Sequence, residues 1–261
     1  MRIGALLTTT AVLITSCALP DVGAEGDPET EVVEPAADES TDEETEPAET
    51  AEADPEPEAE PEPDQEALEI VDYGFSTFTA YDDTTRASWA VVVDNPNDDL
   101  HVANRVNVTV TLTDTDGSVV HSDTDSISVL LPGQQAAVVG RTLDDVSEVA
   151  DMRVQARARS WDEEPGPFGE FTPSDVSVTA QDRRGWRVSG HLASTFTRDF
   201  EDVYVKAVLR DEAGDIVGGE FTFVDFVPAG DDTSFQINVS ADLDEVVSAD
   251  VYAHLSSLSM F

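Results

Sequence analysis

The stretch Val106-Asn-Val-Thr-Val-Thr-Leu112 alternates between apolar residues and asparagine or threonine. A period of two places the apolar side chains on one face of a strand and the polar ones on the other. Asp114-Thr-Asp-Gly117 follows, and an Asp-Gly pair beside alternating residues indicates a hairpin turn. Ser118-Val-Val120 begins the returning segment. This part of the chain is therefore predicted to be an antiparallel β-hairpin with one buried face.

Further strand signals flank this hairpin on both sides. Trp89-Ala-Val-Val-Val93 is an apolar run that ends at Asn95-Pro-Asn97, which predicts a buried strand leading into a turn. After the hairpin, Ile127, Val129 and Leu131 alternate up to a Pro-Gly pair. Short strands separated by turn signals at intervals of about 8–12 residues predict an antiparallel β-sandwich.

The same pattern returns 97 residues later, which indicates an internal duplication. The residues that match in this register are a tryptophan, a turn aspartate, two turn glycines and the apolar face of one strand. The pairs are Trp89 with Trp186, Asp114 with Asp211, Gly117 with Gly214, Gly133 with Gly230, and Val106, Val108 and Leu112 with Val203, Val205 and Leu209.

The duplication predicts two sandwiches, residues 69–160 and 171–261, joined by a linker rich in proline, glycine and acid at residues 161–170. In the second copy, Phe221, Phe223 and Val224 are expected to take the part of the alternating strand of the first. Asp144–Val149 and Leu243–Val247 are the two segments whose pattern favours a single helical turn.

Both copies share an order of motifs: a Leu-x-Asp strand end, a glycine three residues later and a Pro-Gly or Pro-Ala-Gly turn. This order resembles the FxLYD domain family, small immunoglobulin-like β-sandwiches frequent in prokaryotic lipoproteins. The aromatic positions of that family hold Val110 and Thr113 in the first copy, and Ala207 and Arg210 in the second. The resemblance implies two tandem immunoglobulin-like sandwiches and no catalytic residues. Its matching segments are Val93-Asp-Asn95, Val110-Thr-Leu-Thr-Asp114, Gly117, Pro132-Gly133, Leu209-Arg-Asp211, Gly214 and Pro228-Ala-Gly230.

The N-terminus has the pattern of an export signal. Arg2 precedes about a dozen mostly apolar residues, too few to span a hydrocarbon core that needs about 20. Ile14, Thr15 and Ser16 form a lipobox before Cys17, the one cysteine of the chain. We predict a signal peptide at residues 1–16 and attachment of lipid to the Cys17 thiol. The alternative is a plain secretory signal followed by an incidental cysteine.

Residues 17–68 are predicted to be a disordered acidic tether. From Ala18 to Ile70 there are 22 acidic residues and no lysine or arginine, and prolines are frequent. Such a composition buries too little apolar surface to offset the entropy of the chain. The simplest role is a spacer between membrane and sandwiches, and the alternative is a tail that binds cations or a partner.

The charge and the reactive residues exclude several classes of function. A net charge of −43 repels nucleic acid, and a single cysteine excludes disulfide scaffolds, cysteine-based zinc sites and iron–sulfur clusters. Asp114–Gly117 could suggest calcium, but the position where an EF-hand loop would begin holds Leu112, so a hairpin is favoured. Asn95–Asp99 could supply oxygen ligands, but a polar turn is favoured. We predict no catalytic residues, no metal site and no cofactor.

These inferences together predict a lipid-anchored protein on the extracytoplasmic face of the cell membrane, with a non-catalytic binding or structural role. Its partners would be the membrane, through the lipid, and an unidentified protein or other envelope component. One alternative is an accessory subunit of an envelope export or assembly system, which would hold a partner by strand addition at a sheet edge. A further alternative is an envelope hydrolase with an unrecognised site.

Overall fold

The computed structural model describes residues 66–97, 101–146, 148–163, 168–181, 185–243 and 246–256. Strands make up 69% of these residues and none is helical, so the predicted all-β class is confirmed. The twelve strands are β1 (Glu69–Thr79), β2 (Thr85–Asp94), β3 (His101–Thr113), β4 (Val119–Leu130), β5 (Gln135–Arg141), β6 (Asp151–Glu163), β7 (Phe171–Ala180), β8 (Trp186–Ser194), β9 (Phe200–Arg210), β10 (Ile216–Val227), β11 (Asp232–Val239) and β12 (Ser248–His254).

Each copy of the repeat forms two antiparallel three-stranded sheets around its own core. In the first copy these are sheet A (β1-β2-β5) and sheet B (β4-β3-β6). In the second they are sheet C (β11-β8-β7) and sheet D (β10-β9-β12). The apolar residues that match between the two copies of the repeat lie on β3 and on β9, and all of them are fully buried. They are Val106, Val108 and Leu112 on β3, and Val203, Val205 and Leu209 on β9.

The hairpin turns at Asp114–Gly117 and Asp211–Gly214 have the same geometry. One carboxylate oxygen of Asp114 accepts two backbone N–H groups of its turn at 2.9 and 2.8 Å, and Asp211 does the same at 2.9 and 3.0 Å. Gly117 and Gly214 have φ values of +80° and +87°, a region that favours glycine. The hairpin prediction is confirmed.

Asn95, which follows the buried strand β2, is a structural residue. Its side chain is fully buried, and its Nδ2 donates to the carbonyl oxygens of His101 and Leu130 at 2.9 and 3.0 Å. It thereby joins the end of sheet A to two strands of sheet B. The predicted polar turn fits this arrangement, and the acidic residues at 98 and 99 lie outside the described residues.

Phe221, Phe223 and Val224 lie on strand β10, as expected, but neither phenylalanine faces the core. Both side chains are exposed, whereas Val224 and Val227 of the same strand are buried. β10 carries apolar residues on both faces, so its alternation does not by itself indicate which face is covered. The pairing of Val224 with the buried Val203 on β9 determines the orientation.

No described residue of the two segments predicted as helical turns is helical, but the first contains a local turn, in which the backbone N–H of Val149 donates to the carbonyl of Val146 at 3.4 Å. Both segments are also bonded to neighbouring strands. The backbone N–H of Val146 donates to the carbonyl of Thr85, and that of Val247 donates to the carbonyl of Arg210, each at 2.8 Å.

The strand β6 extends into the segment predicted as a linker. Trp161 pairs with Ala103 and Glu163 pairs with His101, so residues 161–163 belong to sheet B. Residues 164–167 lie outside the described residues. After these residues, the predicted linker contacts the first sandwich, because the side-chain amide of Gln134 donates to the carbonyl of Gly169 at 3.2 Å.

The two sandwiches pack against each other through the outer faces of sheets A and D. A third apolar cluster forms there, separate from the two cores. Its buried members come from both copies: Ala90, Val92, Ala137, Val139, Val208 and Ile216. The Ser88 hydroxyl accepts the backbone N–H of Gly219 at 3.2 Å, and Arg210 bonds Asp72 across the interface at 2.8 Å. β2 is consequently covered on both faces, which explains its uninterrupted apolar run.

Candidate binding surface

One half of β10 is covered by the first sandwich, and the other half carries exposed rings. Gly219 lies so close to the side chain of Val139 that a Cβ there would collide with it. Two residues further along, the exposed part of the strand begins, with Phe221, Phe223 and Phe226 exposed by 44%, 41% and 49%. These are all of the exposed phenylalanines among the described residues. Three exposed rings on one strand form an apolar patch, and patches of this kind mark interaction sites.

Neighbouring strands complete an aromatic surface, which we define as Tyr204, Phe221, Phe223 and His254. The Tyr204 ring lies 4.3 Å from that of Phe223 and 5.9 Å from that of Phe221, measured between centroids. His254 stacks on Tyr204 at 5.4 Å with an interplanar angle of 15°. Register explains the cluster, because Phe223 and His254 both pair with Tyr204 and so project from the same face of sheet D.

The only lysine of the chain lies at the base of this surface. Lys206 is 3% exposed, and its Nζ lies 3.1 Å from a carboxylate oxygen of Asp125, on β4 of the other sandwich. The same Nζ lies 5.4 Å from the centre of the Tyr204 ring. Burial lowers the pKa of Lys206, and the charge of Asp125 opposes that shift. The ion pair therefore connects the two sandwiches next to the aromatic surface.

His254 is held as a neutral ring. It is buried, and both its burial and the nearby charge of Lys206 lower its pKa well below the ordinary value. A protonated imidazole there would be desolvated and close to an ammonium group. His254 consequently acts in this structure as an aromatic packing residue.

The free energy of unfolding is expected to fall on acidification because of His254. In the unfolded chain this group binds a proton below about pH 6.5, whereas in the folded chain it resists protonation. Its contribution is therefore complete above that pH and is lost below it, by up to about 1.4 kcal/mol per pH unit. Denaturant unfolding between neutral and mildly acidic pH should show a shallower dependence for His254→Phe. The exposed His191, changed to Phe, is the control, and equal slopes in wild type and His254→Phe would contradict the assignment.

The chain segment that carries most of the aromatic surface is acidic. Residues 198–232 include ten aspartates and glutamates against three basic residues. Two of these bases are engaged in ion pairs, Lys206 with Asp125 and Arg210 with Asp72 and Asp250. Aromatic faces attract cations, and carboxylates beside them add to that attraction. The arrangement can therefore bind a cationic group while burying apolar surface.

A second candidate is a cavity of about 260 Å³ between the β1–β2 hairpin and the residues after β11. Its two arginines already have partners in the chain. Arg86 binds Asp82 at 2.7 Å, and Arg141 binds the Ser240 hydroxyl and lies 3.5 Å from Glu220. The contacts of Arg141 join the two sandwiches, and the partners of both arginines weaken the cavity as a site for an anionic ligand.

Within the part of the chain that the structure describes, no three His, Cys, Asp or Glu side chains are grouped to hold a metal ion. Nor do those residues include a helix long and apolar enough to cross a membrane. The predicted lipobox and lipidation site (Ile14, Thr15, Ser16 and Cys17) lie outside the described residues. The sequence analysis missed the aromatic surface. A signal for it exists in Phe221-Thr-Phe-Val-Asp-Phe226, where three phenylalanines fall within six residues.

No protein-family model matches this chain, and no curated protein matches it. Solved structures that resemble it include the C-terminal globular domain of an oligosaccharyltransferase from Pyrococcus abyssi, at 8% identity and a TM-score of 0.19. That alignment covers 72% of this chain and 46% of the other, so the chain spans less than half of that structure. The N-terminal CBM22 tandem domain of Xyn10C from Paenibacillus barcinonensis aligns at 8% identity, 72% and 86% coverage, and a TM-score of 0.16. Neither likeness is close enough to indicate a function.

Proposed function

We propose that this protein is a lipid-anchored, non-catalytic binding protein of the extracytoplasmic membrane surface. In this proposal Cys17 carries the lipid, the acidic segment 17–68 is the spacer, and two FxLYD-like sandwiches form the binding unit. The lipobox before the single cysteine supports the anchor. The observation that carries the binding role is the cluster of exposed phenylalanines on β10, in a protein whose remaining surface is strongly acidic.

The packing of the two sandwiches into one rigid unit supports a binding role. The described residues from Glu69 onward form one compact unit, held by the apolar cluster between sheets A and D and by ion pairs such as Lys206 with Asp125. A rigid unit presents its exposed rings in a fixed geometry, so less entropy is lost on binding. The acidic segment would place this unit at a distance from the membrane.

The variant Cys17→Ala is expected to release the protein from the membrane fraction. Without the thiol there is no acceptor for the lipid, and acyl chains provide the stable anchor. Cell fractionation and incorporation of labelled fatty acid measure the change. Ser16→Ala, which keeps a small residue beside the cysteine, is the control and should stay with the membrane. If Cys17→Ala still sediments with membranes and the wild type takes up no labelled fatty acid, the proposed lipid anchor at Cys17 is wrong.

The second candidate function is an accessory subunit of an envelope export or assembly system. The observation that favours it is the position of β10 at the edge of sheet D, where another strand can pair. Crosslinking in cells and purification in detergent distinguish the two functions. A stable integral-membrane partner recovered in fixed proportion supports the accessory subunit, and its absence supports a free surface protein.

A further inference from the structure

We infer that β10 is the docking edge for an extended, cationic segment of a partner protein. This segment would add as a strand beside β10 and place arginine or lysine side chains against the aromatic surface. The inference rests on the proposed binding function and adds the position of the site and the chemistry of the partner.

The first argument is the character of the strand itself. β10 is an edge strand of sheet D, and its stretch Phe221–Val227 combines three exposed phenylalanines with β-branched residues. Soluble proteins protect such edges with lysines, prolines or short strands. Between Phe221 and Val227 the exposed half of β10 has no lysine and no proline, and Asp225 is its one charged residue.

The second argument is continuity with an interface that the protein already uses. Phe221 pairs in register with Lys206, and Tyr252 pairs with Lys206 from the other side. Tyr252 packs on the apolar cluster between the sandwiches, and Lys206 bonds to Asp125 across them. On the outer face of sheet D, the part covered by the first sandwich therefore adjoins the exposed part. A partner bound at the exposed part would extend the interface between the two sandwiches.

The third argument is charge, and it identifies the kind of partner. The acidic excess of residues 198–232, ten against three, attracts a cationic segment and repels an anionic one. A second copy of this chain would bring another large negative charge to the same place, so self-association at this edge is opposed. Arginine and lysine also gain from contact with ring faces such as those of Phe221 and Phe223.

The test uses the full chain purified in detergent and a labelled peptide of alternating arginine and valine. A peptide of about seven residues spans the exposed part of β10, Phe221–Val227, at about 3.3 Å per residue. We expect saturable binding by fluorescence anisotropy that weakens as salt is added. The double variant Phe221→Thr/Phe223→Thr keeps β-propensity but removes the rings, and it should weaken binding by about tenfold. Tyr81→Thr, which removes an exposed ring from a distant turn, is the matched control and should bind like wild type.

Two further peptides separate strand addition from simple charge attraction. Glutamate in place of arginine should abolish binding. Methylation of alternate backbone nitrogens should block binding when the methyl groups lie on the pairing edge and leave it intact when they lie on the other edge. Binding of the glutamate peptide, equal binding of both methylated peptides, or no effect of the double phenylalanine variant would overturn the inference. Since this assay does not depend on lipidation, its failure and that of the Cys17 anchor are observed separately.

Discussion

Trp89→Ala is expected to lower the free energy of unfolding by about 3–5 kcal/mol. Trp89 is fully buried in the core of the first sandwich, and its ring occupies the space above Gly140, where a Cβ would collide with it. Truncation leaves a large cavity that the surrounding strands can fill only in part. Denaturant unfolding of the full chain, followed by tryptophan fluorescence and circular dichroism, measures the loss.

The duplication supplies the matched control for this variant. Trp186 occupies the equivalent position of the second copy, but it is half-buried, and its Nε1 donates to the carbonyl of Leu243 at 3.0 Å. Trp186→Ala is therefore expected to cost less, about 1–2 kcal/mol. Among the described residues the Nε1 of Trp89 has no hydrogen-bond partner, so Trp89→Phe removes no bond and should also cost less than Trp89→Ala. Equal losses for the two alanine variants would contradict this account of the core.

Val208→Asp is expected to separate the two sandwiches and to destabilise the protein by at least about 3 kcal/mol. Val208 is fully buried in the apolar cluster between sheets A and D. A carboxylate there would lose its hydration without gaining a cation, since Arg210 on the same strand is already bonded to Asp72 and Asp250. Val176→Asp, on the partly exposed strand β7, is the control and should leave the unfolding midpoint nearly unchanged.

Limited proteolysis with a Glu-specific enzyme reports the separation directly. Glu163 pairs with His101 within sheet B of the first sandwich, so its protection does not depend on the interface. Once the interface opens, we expect faster cleavage between the two sandwiches, after Glu163, in the Val208→Asp variant and two resistant pieces of similar size. Separate expression of residues 69–165 and 166–261 tests the same interface, because each half would expose its part of the shared cluster. An unchanged digestion pattern in Val208→Asp would show that other contacts hold the sandwiches together.

The sequence by itself determined those features that depend on neighbouring residues. Alternation over Val106–Leu112 and its duplicate allows only one buried face, because the polar residues cannot be buried without partners. The turns at Asp114 and Asp211 form within five residues, through a carboxylate that bonds to its own backbone. The expected lipid site at Cys17 likewise depends on the few residues before it, and it stays a prediction from sequence.

Only the tertiary structure decided which apolar faces are covered. Phe221 and Val224 are both apolar, and the pairing of β10 with β9 exposes the first and buries the second. Lys206 and Asp125 are 81 residues apart, and they meet because the outer face of sheet D packs against the first sandwich. The alternation of apolar and polar residues along a strand carries no information on such contacts, since they depend on how the two folded sandwiches pack together. The aromatic surface exists because the outer face of sheet D carries more apolar side chains than sheet A covers.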